Sequence, residues 1–168
     1  TFDKNIIILG NPHSPHISVW LRALESENIL VDKIAINHGT HIPLLEKNFQ
    51  ILFSKPWLRY FPKMLMYFLG GIFLFFRYMF KSNVVIHAHC ASGYGLMAFL
   101  SGKKYALTTY GSEIFDKDRK NFVYNLVMRM VLKRAYLISS SSPAMENFLV
   151  DQYKIERSRI NTFSLGVS

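Results

Sequence analysis

The sequence predicts an α/β fold: a Rossmann-like, mostly parallel sheet with helices on both faces. Three observations predict it. Short β-branched apolar runs, such as NIIIL at 5–9 and NVVIH at 83–87, recur along the chain. Segments of helical period separate them, and glycine or proline falls between many of the elements. Strands alternating with helices form βαβ units, so the sheet is buried on both faces and its crossovers are right-handed.

Each element has its own reason. Residues 5–9 read as a buried strand closed by Gly10. Residues 11–15 are a loop, and 16–27 carry Ile17, Trp20, Leu21 and Leu24 at helical spacing. Residues 29–36 alternate as a second strand, ended by His38 and Gly39. Residues 42–53 are expected to be helical, although their period is weak, and Pro56 and Pro62 break the chain after them. Residues 63–81 form a strongly apolar helix. Then come a strand at 83–87, a helix at 92–100 and a strand at 104–109. The helix expected at 119–134 places Phe122, Leu126, Met130, Val123, Val127 and Val131 on one apolar stripe. Its basic face (Arg119, Lys120, Arg129, Lys133, Arg134) reads as solvated, and the last three complement the helix dipole. A strand at 135–139, a helix opened by Ser142-Pro143 and reaching Tyr153, and a last strand at 159–165 complete the pattern.

The 168 residues fit one domain, 1–168, with room for a real core. Half of them are apolar, which excludes a disordered or fibrous chain. Lys and Arg number 20 against 11 Asp and Glu, so anionic partners are favoured. The basic residues are scattered and no helix-turn-helix, RNA-recognition or zinc motif occurs, so no nucleic-acid partner is expected. The single cysteine excludes an internal disulfide and suits a reducing compartment.

In parallel sheets, ligands sit beyond the carboxyl ends of the strands. Three such loops stand out: GNPHSPH at 10–16, HAHCASGYG at 87–95 and TYGSE at 109–113. Opening on one edge, they define a pocket. The first lacks the GxGxxG fingerprint and the P-loop pattern, so it is no standard dinucleotide or mononucleotide loop. His13, Ser14 and His16 could bind a ligand at the helix N-terminus, or Ser14 could simply cap the helix.

His87 and His89 share one side of their strand. Zinc would need further ligands, and no CxxC or HExxH pattern supplies them, so no metal is expected. His87 lies nearer the core and could hydrogen-bond at the strand end; His89 and Tyr94 are expected to point into the pocket. Cys90 would need a base and an orienting partner to act as a nucleophile. No cysteine-hydrolase signature surrounds it, and a buried thiol is expected.

The uncharged run at 64–76 is short of the roughly 20 residues of a membrane span. Either the helix is a buried crossover, or it rests in a membrane interface with Lys55, Arg59, Lys63, Arg77 and Lys81 among lipid headgroups. Its many aromatics exceed what one core-facing stripe needs, which favours the interface.

Taken in order, several segments resemble a known family. The opening IIILGNPHSPHISVWLRALESENI is similar to the first strand, loop and helix of the GT-B glycosyltransferases of the family-4-like, retaining group. VVIHAHCASGYGLMAFLSGKKYALTTYGSEI resembles that family's "viHaH…HGsD" block, YLISSSSPAMENFL its next strand and helix, and INTFSLGVS the passage into its second domain. The resemblance implies an acceptor-binding N-terminal half of a GT-B fold. The donor-binding C-terminal domain, with its Glu-x7-Glu motif, has no counterpart in residues 1–168 and would act in cis or as a partner subunit. It implies sugar transfer from a nucleotide-sugar to a glycan or lipid-linked acceptor in surface polysaccharide biosynthesis. No cofactor is implied beyond the nucleotide-sugar co-substrate. The location implied is cytoplasmic, peripheral at the inner membrane face. This half alone would be inactive.

Carried over by position, the loop from Gly10 through His13 and Ser14 to His16 would border donor phosphates and acceptor, and His89 and Tyr94 would line the acceptor side. Tyr110 falls at the family's sugar-contacting histidine and is the candidate catalytic residue, followed by Gly111, Ser112 and Glu113. Tyrosine for histidine and glutamate for aspartate are both departures. A tyrosine can hydrogen-bond but is not readily protonated near pH 7. The other functional class is a non-catalytic binding or assembly module that needs a separate donor-binding subunit.

Overall fold

The computed structural model describes residues 5–29, 31–36, 49–53, 61–115 and 122–163. Among these residues seven strands form one sheet: β1 (Asn5–Leu9), β2 (Val31–Ile36), β3 (Phe49–Leu52), β4 (Val84–His89), β5 (Lys104–Thr108), β6 (Leu137–Ser140) and β7 (Ile160–Thr162). Their order is β3-β2-β1-β4-β5-β6-β7, and every pairing is parallel. The helices are α1 (Pro15–Ser26), α2 (Lys63–Tyr78), α3 (Tyr94–Leu100), α4 (Gly111–Phe115), α5 (Phe122–Arg134) and α6 (Pro143–Tyr153). Neighbouring contacts run α2 to α3, α3 to α5 and α5 to α6, which makes them a row on one face. The crossover through α1 leads the opposite way along the sheet, so right-handedness puts α1 on the other face.

The central strands are buried on both sides, as a parallel sheet requires, with Ile7, Ile8, Leu9, Ile86, Ala88 and Leu107 fully enclosed. The α2–α3 contact is close because Gly70 and Gly71 carry no side chain there. A Cβ on Gly71 would lie 2.6 Å from Leu100 Cβ. Ser142 caps α6, its hydroxyl accepting from the Met145 amide at 3.2 Å. Lys154 ends that helix in the left-handed conformation.

Three sequence expectations are corrected. The helix expected over 42–53 is a strand where the structure describes it: Phe49–Leu52 pairs with β2 at the sheet edge. A four-residue edge strand has too few residues to show a period, and residues 42–48 lie outside the described ones. In α5 the core face is Met128, Val131 and Leu132; Phe122, Val123, Leu126 and Met130 are exposed. Of the expected stripe only Val127 and Val131 face the core, because the helix has apolar residues at i, i+4 spacing on more than one face and packing against α3 and α6 selects among them. The last strand is shorter than expected, Ile160–Thr162, with residues 164–168 outside the described ones.

Candidate functional site

The strand order reverses between β1 and β4, so the crevice at their carboxyl ends is the topological switch point. Beside it opens a pocket of about 500 Å³ lined by Ser14, His16, Tyr110, Gly111, Ser112 and Ser141. It draws on the loop after β1, the loop after β5 and the residue following β6. Five of the sequence candidates thus meet. Ser141 was not foreseen; its only signal was a run of serines at a strand's carboxyl end.

Tyr110 is the centre of this pocket. Its ring stacks on His16 with centroids 5.3 Å apart. His89 Nδ1 lies 3.0 Å from its hydroxyl. Burial pushes the Tyr110 hydroxyl well above its usual pKa, the negative charge of Glu113 adds to the rise, and a hydrogen bond from Ser14 opposes it. Tyr110 is therefore neutral at physiological pH. Ser14 occupies the N-cap position of α1 but makes no capping bond with its side chain, which leaves the hydroxyl for this contact.

His89 is a buried support for Tyr110 rather than a residue of the pocket wall. Burial first, then the neighbouring His87 and His16, lower its pKa to about 2. Its Nε2 is buried with no hydrogen-bond partner among the described residues. An orphaned N–H costs more than an orphaned acceptor, so the ring proton is assigned to Nδ1. That proton is donated to the Tyr110 oxygen, and the Tyr110 O–H is left to donate towards the pocket.

His87 stacks on His89 with ring centroids 4.5 Å apart, and Trp20 meets His87 edge-on at 4.7 Å. His87 Nε2 is 2.8 Å from Thr108 Oγ1 across the β4–β5 pair, and burial lowers its pKa to about 4. It is a hydrogen-bonded core histidine. Among the described residues no group of three or more His, Cys, Asp or Glu is arranged to hold a metal ion.

Glu113, 7% exposed, is a clamp. Its Oε1 accepts from the backbone amides of Ala91 (2.9 Å) and Tyr110 (3.1 Å). Its Oε2 accepts from the Ser92 amide (3.2 Å), the Ser92 hydroxyl (3.3 Å) and the Cys90 thiol (2.8 Å). Tyr110 precedes α4, and Glu113 is that helix's third residue, reaching back to the Tyr110 amide as a capping-box glutamate does. The same carboxylate ties the loop after β4 to the loop after β5. It holds Cys90 at φ 94°, a left-handed conformation that strains a residue with a side chain. Burial raises the Cys90 thiol to about 12, with the Glu113 charge adding to it, so the thiol is no nucleophile near neutral pH.

The remaining candidates fall elsewhere. Tyr94 is in the core: its ring meets Tyr67 at 5.2 Å and its hydroxyl accepts from the Ile36 amide at 3.3 Å. As the first residue of α3 it turns inward over the sheet, which is why it does not face the pocket. Gly10 is buried under α1, where an added Cβ would lie 2.0 Å from Ile17 Cδ1. His13 is exposed on the loop, its amide donating to Asn11 Oδ1, and does not line the pocket. The loop expected to form one wall, 87–95, lies beneath the pocket and supports it through His89 and Glu113.

Chemically, the pocket offers four hydroxyls, one imidazole and a short helix start, and among the described residues no carboxylate or cationic side chain lines it. That set suits hydrogen bonding to a neutral polyol more than proton abstraction or ion pairing.

No curated protein matches the sequence. Among solved structures, sucrose-phosphate synthase from Thermosynechococcus elongatus superposes with TM-score 0.70 at 15% identity, over 98% of this chain and 49% of that one. UDP-GlcNAc 2-epimerase from Methanocaldococcus jannaschii superposes with TM-score 0.60 at 17% identity, over 96% and 45%. The chain thus spans about half the length of these structures, and at such identity the likeness is one of fold. The sequence itself matches the model of the glycosyl transferase 4-like family over residues 5–142. By that match the chain belongs to the glycosyl transferase 4-like family.

Proposed function

We propose that the chain is the acceptor-binding half of a glycosyltransferase that moves a sugar from a nucleotide-sugar to a glycan or lipid-linked acceptor, in surface polysaccharide synthesis. The observation that carries this is the composition of the pocket: Ser14, His16, Tyr110, Ser112 and Ser141 around a space of about 500 Å³ at the switch-point edge. Hydroxyls and an imidazole recognise sugar hydroxyls, whose donors and acceptors alternate over short distances. Within the pocket Tyr110 donates to an acceptor hydroxyl or ring oxygen, and His89 fixes the direction of that bond. Family membership supports the reaction class.

The donor domain belongs opposite this edge, in cis or as a partner subunit. The apolar residues Phe122 and Val123, exposed at the start of α5 on the same edge, give such a domain a surface to rest on. In this reading the 168-residue chain binds acceptor but does not turn over donor alone. Its place is the cytoplasm, at the inner face of a membrane that presents lipid-linked acceptors. No described helix is long and apolar enough to cross that membrane.

The test is saturation-transfer NMR on the chain with a panel of neutral and acidic oligosaccharides, and with nucleoside diphosphate alone. The expected result is weak glycan binding lost in Tyr110→Ala. Nucleoside diphosphate binding at this pocket without glycan binding would overturn the reading.

A further inference from the structure

The α2 helix carries an observation that the pocket does not explain. Its inner face, Met66, Gly70, Leu74 and Tyr78, is buried. Between Lys63 and Arg77 every exposed side chain of the helix is apolar, Leu65, Phe68, Leu69 and Phe76 among them; Phe76 is exposed by 66%, and just beyond the helix Met79 is exposed and Phe80 is exposed by 91%. At the helix's carboxyl end the cations gather. The Arg77 guanidinium lies 5.8 Å from the Phe73 ring centre and 5.5 Å from that of Tyr78, and Lys81 is 5.6 Å from the latter. Lys103 joins them, donating to the carbonyls of Met79 and Lys81. In residues 47–112 the sequence contains no Asp or Glu, while Lys and Arg recur. The Asp32 carboxylate reaches α2 through the hydroxyl of buried Tyr78, on the opposite side of the helix from Phe76.

We infer that this face docks on a bilayer of anionic lipid, with α2 lying in the interface plane. The proposal goes beyond the sugar-transfer reading and stands on α2 rather than on the pocket. Apolar side chains with flanking cations and no anions are the pattern of an interfacial helix. A second copy of the chain is the other candidate occupant, and charge argues against it. Two such faces would bring Arg77, Lys81 and Lys63 together with no acidic residue from 47–112 to pair them. At 16 residues, α2 reaches about 24 Å, short of a span.

Docking would also orient the site. As the crossover from β3 to β4, α2 runs antiparallel to the strands, so its amino end lies at the pocket edge. It is packed rigidly there: the Tyr67 ring fills the space over Gly93, where a Cβ would lie 2.5 Å from it. Gly93 belongs to the loop that Glu113 ties to Tyr110. A bilayer against α2 therefore holds the pocket rim side-on to the lipid surface.

The test is co-sedimentation of the chain with vesicles of phosphatidylcholine alone, or with about one-third phosphatidylglycerol. Parent and Phe76→Ser/Phe80→Ser proteins are compared, with sedimentation velocity on both in the absence of lipid. These side chains are exposed, so the double variant is expected to keep the parent's circular dichroism and melting curve. The expected result is binding to anionic vesicles that falls about tenfold or more in the double variant, and also in about 0.5 M salt. Failure of the parent to bind, or equal binding by the variant, would overturn the proposal. So would a parent dimer that the variant turns into monomers, which would give the face to a second copy. None of these readouts uses glycan or nucleotide, so the transfer reading stands or falls separately.

Discussion

His89 and Tyr110 act as one unit across β4 and β5, with Nδ1 3.0 Å from the phenolic oxygen and the imidazole sealed behind it. The family resemblance puts a histidine at the Tyr110 position. Here a neutral imidazole stands one layer back and a phenol reaches the pocket in its place. Removing the phenol oxygen by Tyr110→Phe orphans a buried N–H, so stability should fall by about 1–3 kcal/mol. Glycan binding should weaken by about three- to tenfold, the worth of one neutral hydrogen bond. Urea denaturation and NMR titration of the same samples check the two effects separately.

The Glu113 carboxylate gives a second prediction. It accepts from three backbone amides, one hydroxyl and one thiol, and it lies beneath the pocket rather than on it. Glu113→Gln turns one acceptor oxygen into a donor facing Ser92 and Cys90. The expected loss is about 2–4 kcal/mol, with glycan affinity of the folded fraction changed less than in Tyr110→Phe. A variant of unchanged stability that no longer binds glycan would return Glu113 to the pocket wall.

The structure also shows what a sequence can and cannot carry. β1 and β4 were legible because buried parallel strands are written with unbroken β-branched runs, and α6 because Ser142-Pro143 marks its start. Phe49–Leu52 was not, because four residues at an edge hold no period. The exposed stripe of α5 has the same spacing as a core stripe, and only its neighbours decide which face is covered. In the site, loop position led to Ser14, His16, Tyr110, Gly111 and Ser112, which line one pocket. Polarity misled at Glu113, Tyr94 and His89, because a buried polar group satisfied by partners reads the same in sequence as one offered to a ligand.

Gly70 and Gly71 provide a paired prediction on packing. Both lie inside α2, where Ala is intrinsically better than Gly by up to about 1 kcal/mol. At Gly70 the nearest atom to an added methyl is the flexible end of Met97, at 2.9 Å. At Gly71 it is Leu100 Cβ at 2.6 Å, with Met97 Cα at 3.3 Å. Gly70→Ala should therefore be neutral or slightly stabilising. Gly71→Ala should cost about 1–3 kcal/mol, since neither atom can turn aside. Thermal melts of the two variants, side by side, decide it.

The stacked histidines predict acid sensitivity. Burial lowers His87 to about 4 and His89 to about 2, whereas an unfolded histidine titrates near 6.5. Below about pH 6.5 the unfolded chain binds protons that the folded chain refuses. Their contribution is fully present above that pH and is lost as the pH falls towards 4 for His87 and lower for His89. Each proton taken up on unfolding gives a slope of about 1.4 kcal/mol per pH unit, so each histidine costs about 3 kcal/mol by pH 4. Urea midpoints measured between about pH 6.5 and 4.5 should therefore rise steeply with pH. In His87→Gln, whose amide can still meet Thr108 Oγ1, one of the two protons is gone and the slope should fall by about half. The slope reads proton uptake and not absolute stability, so a variant that is merely weaker would keep the parent's slope and sink the assignment.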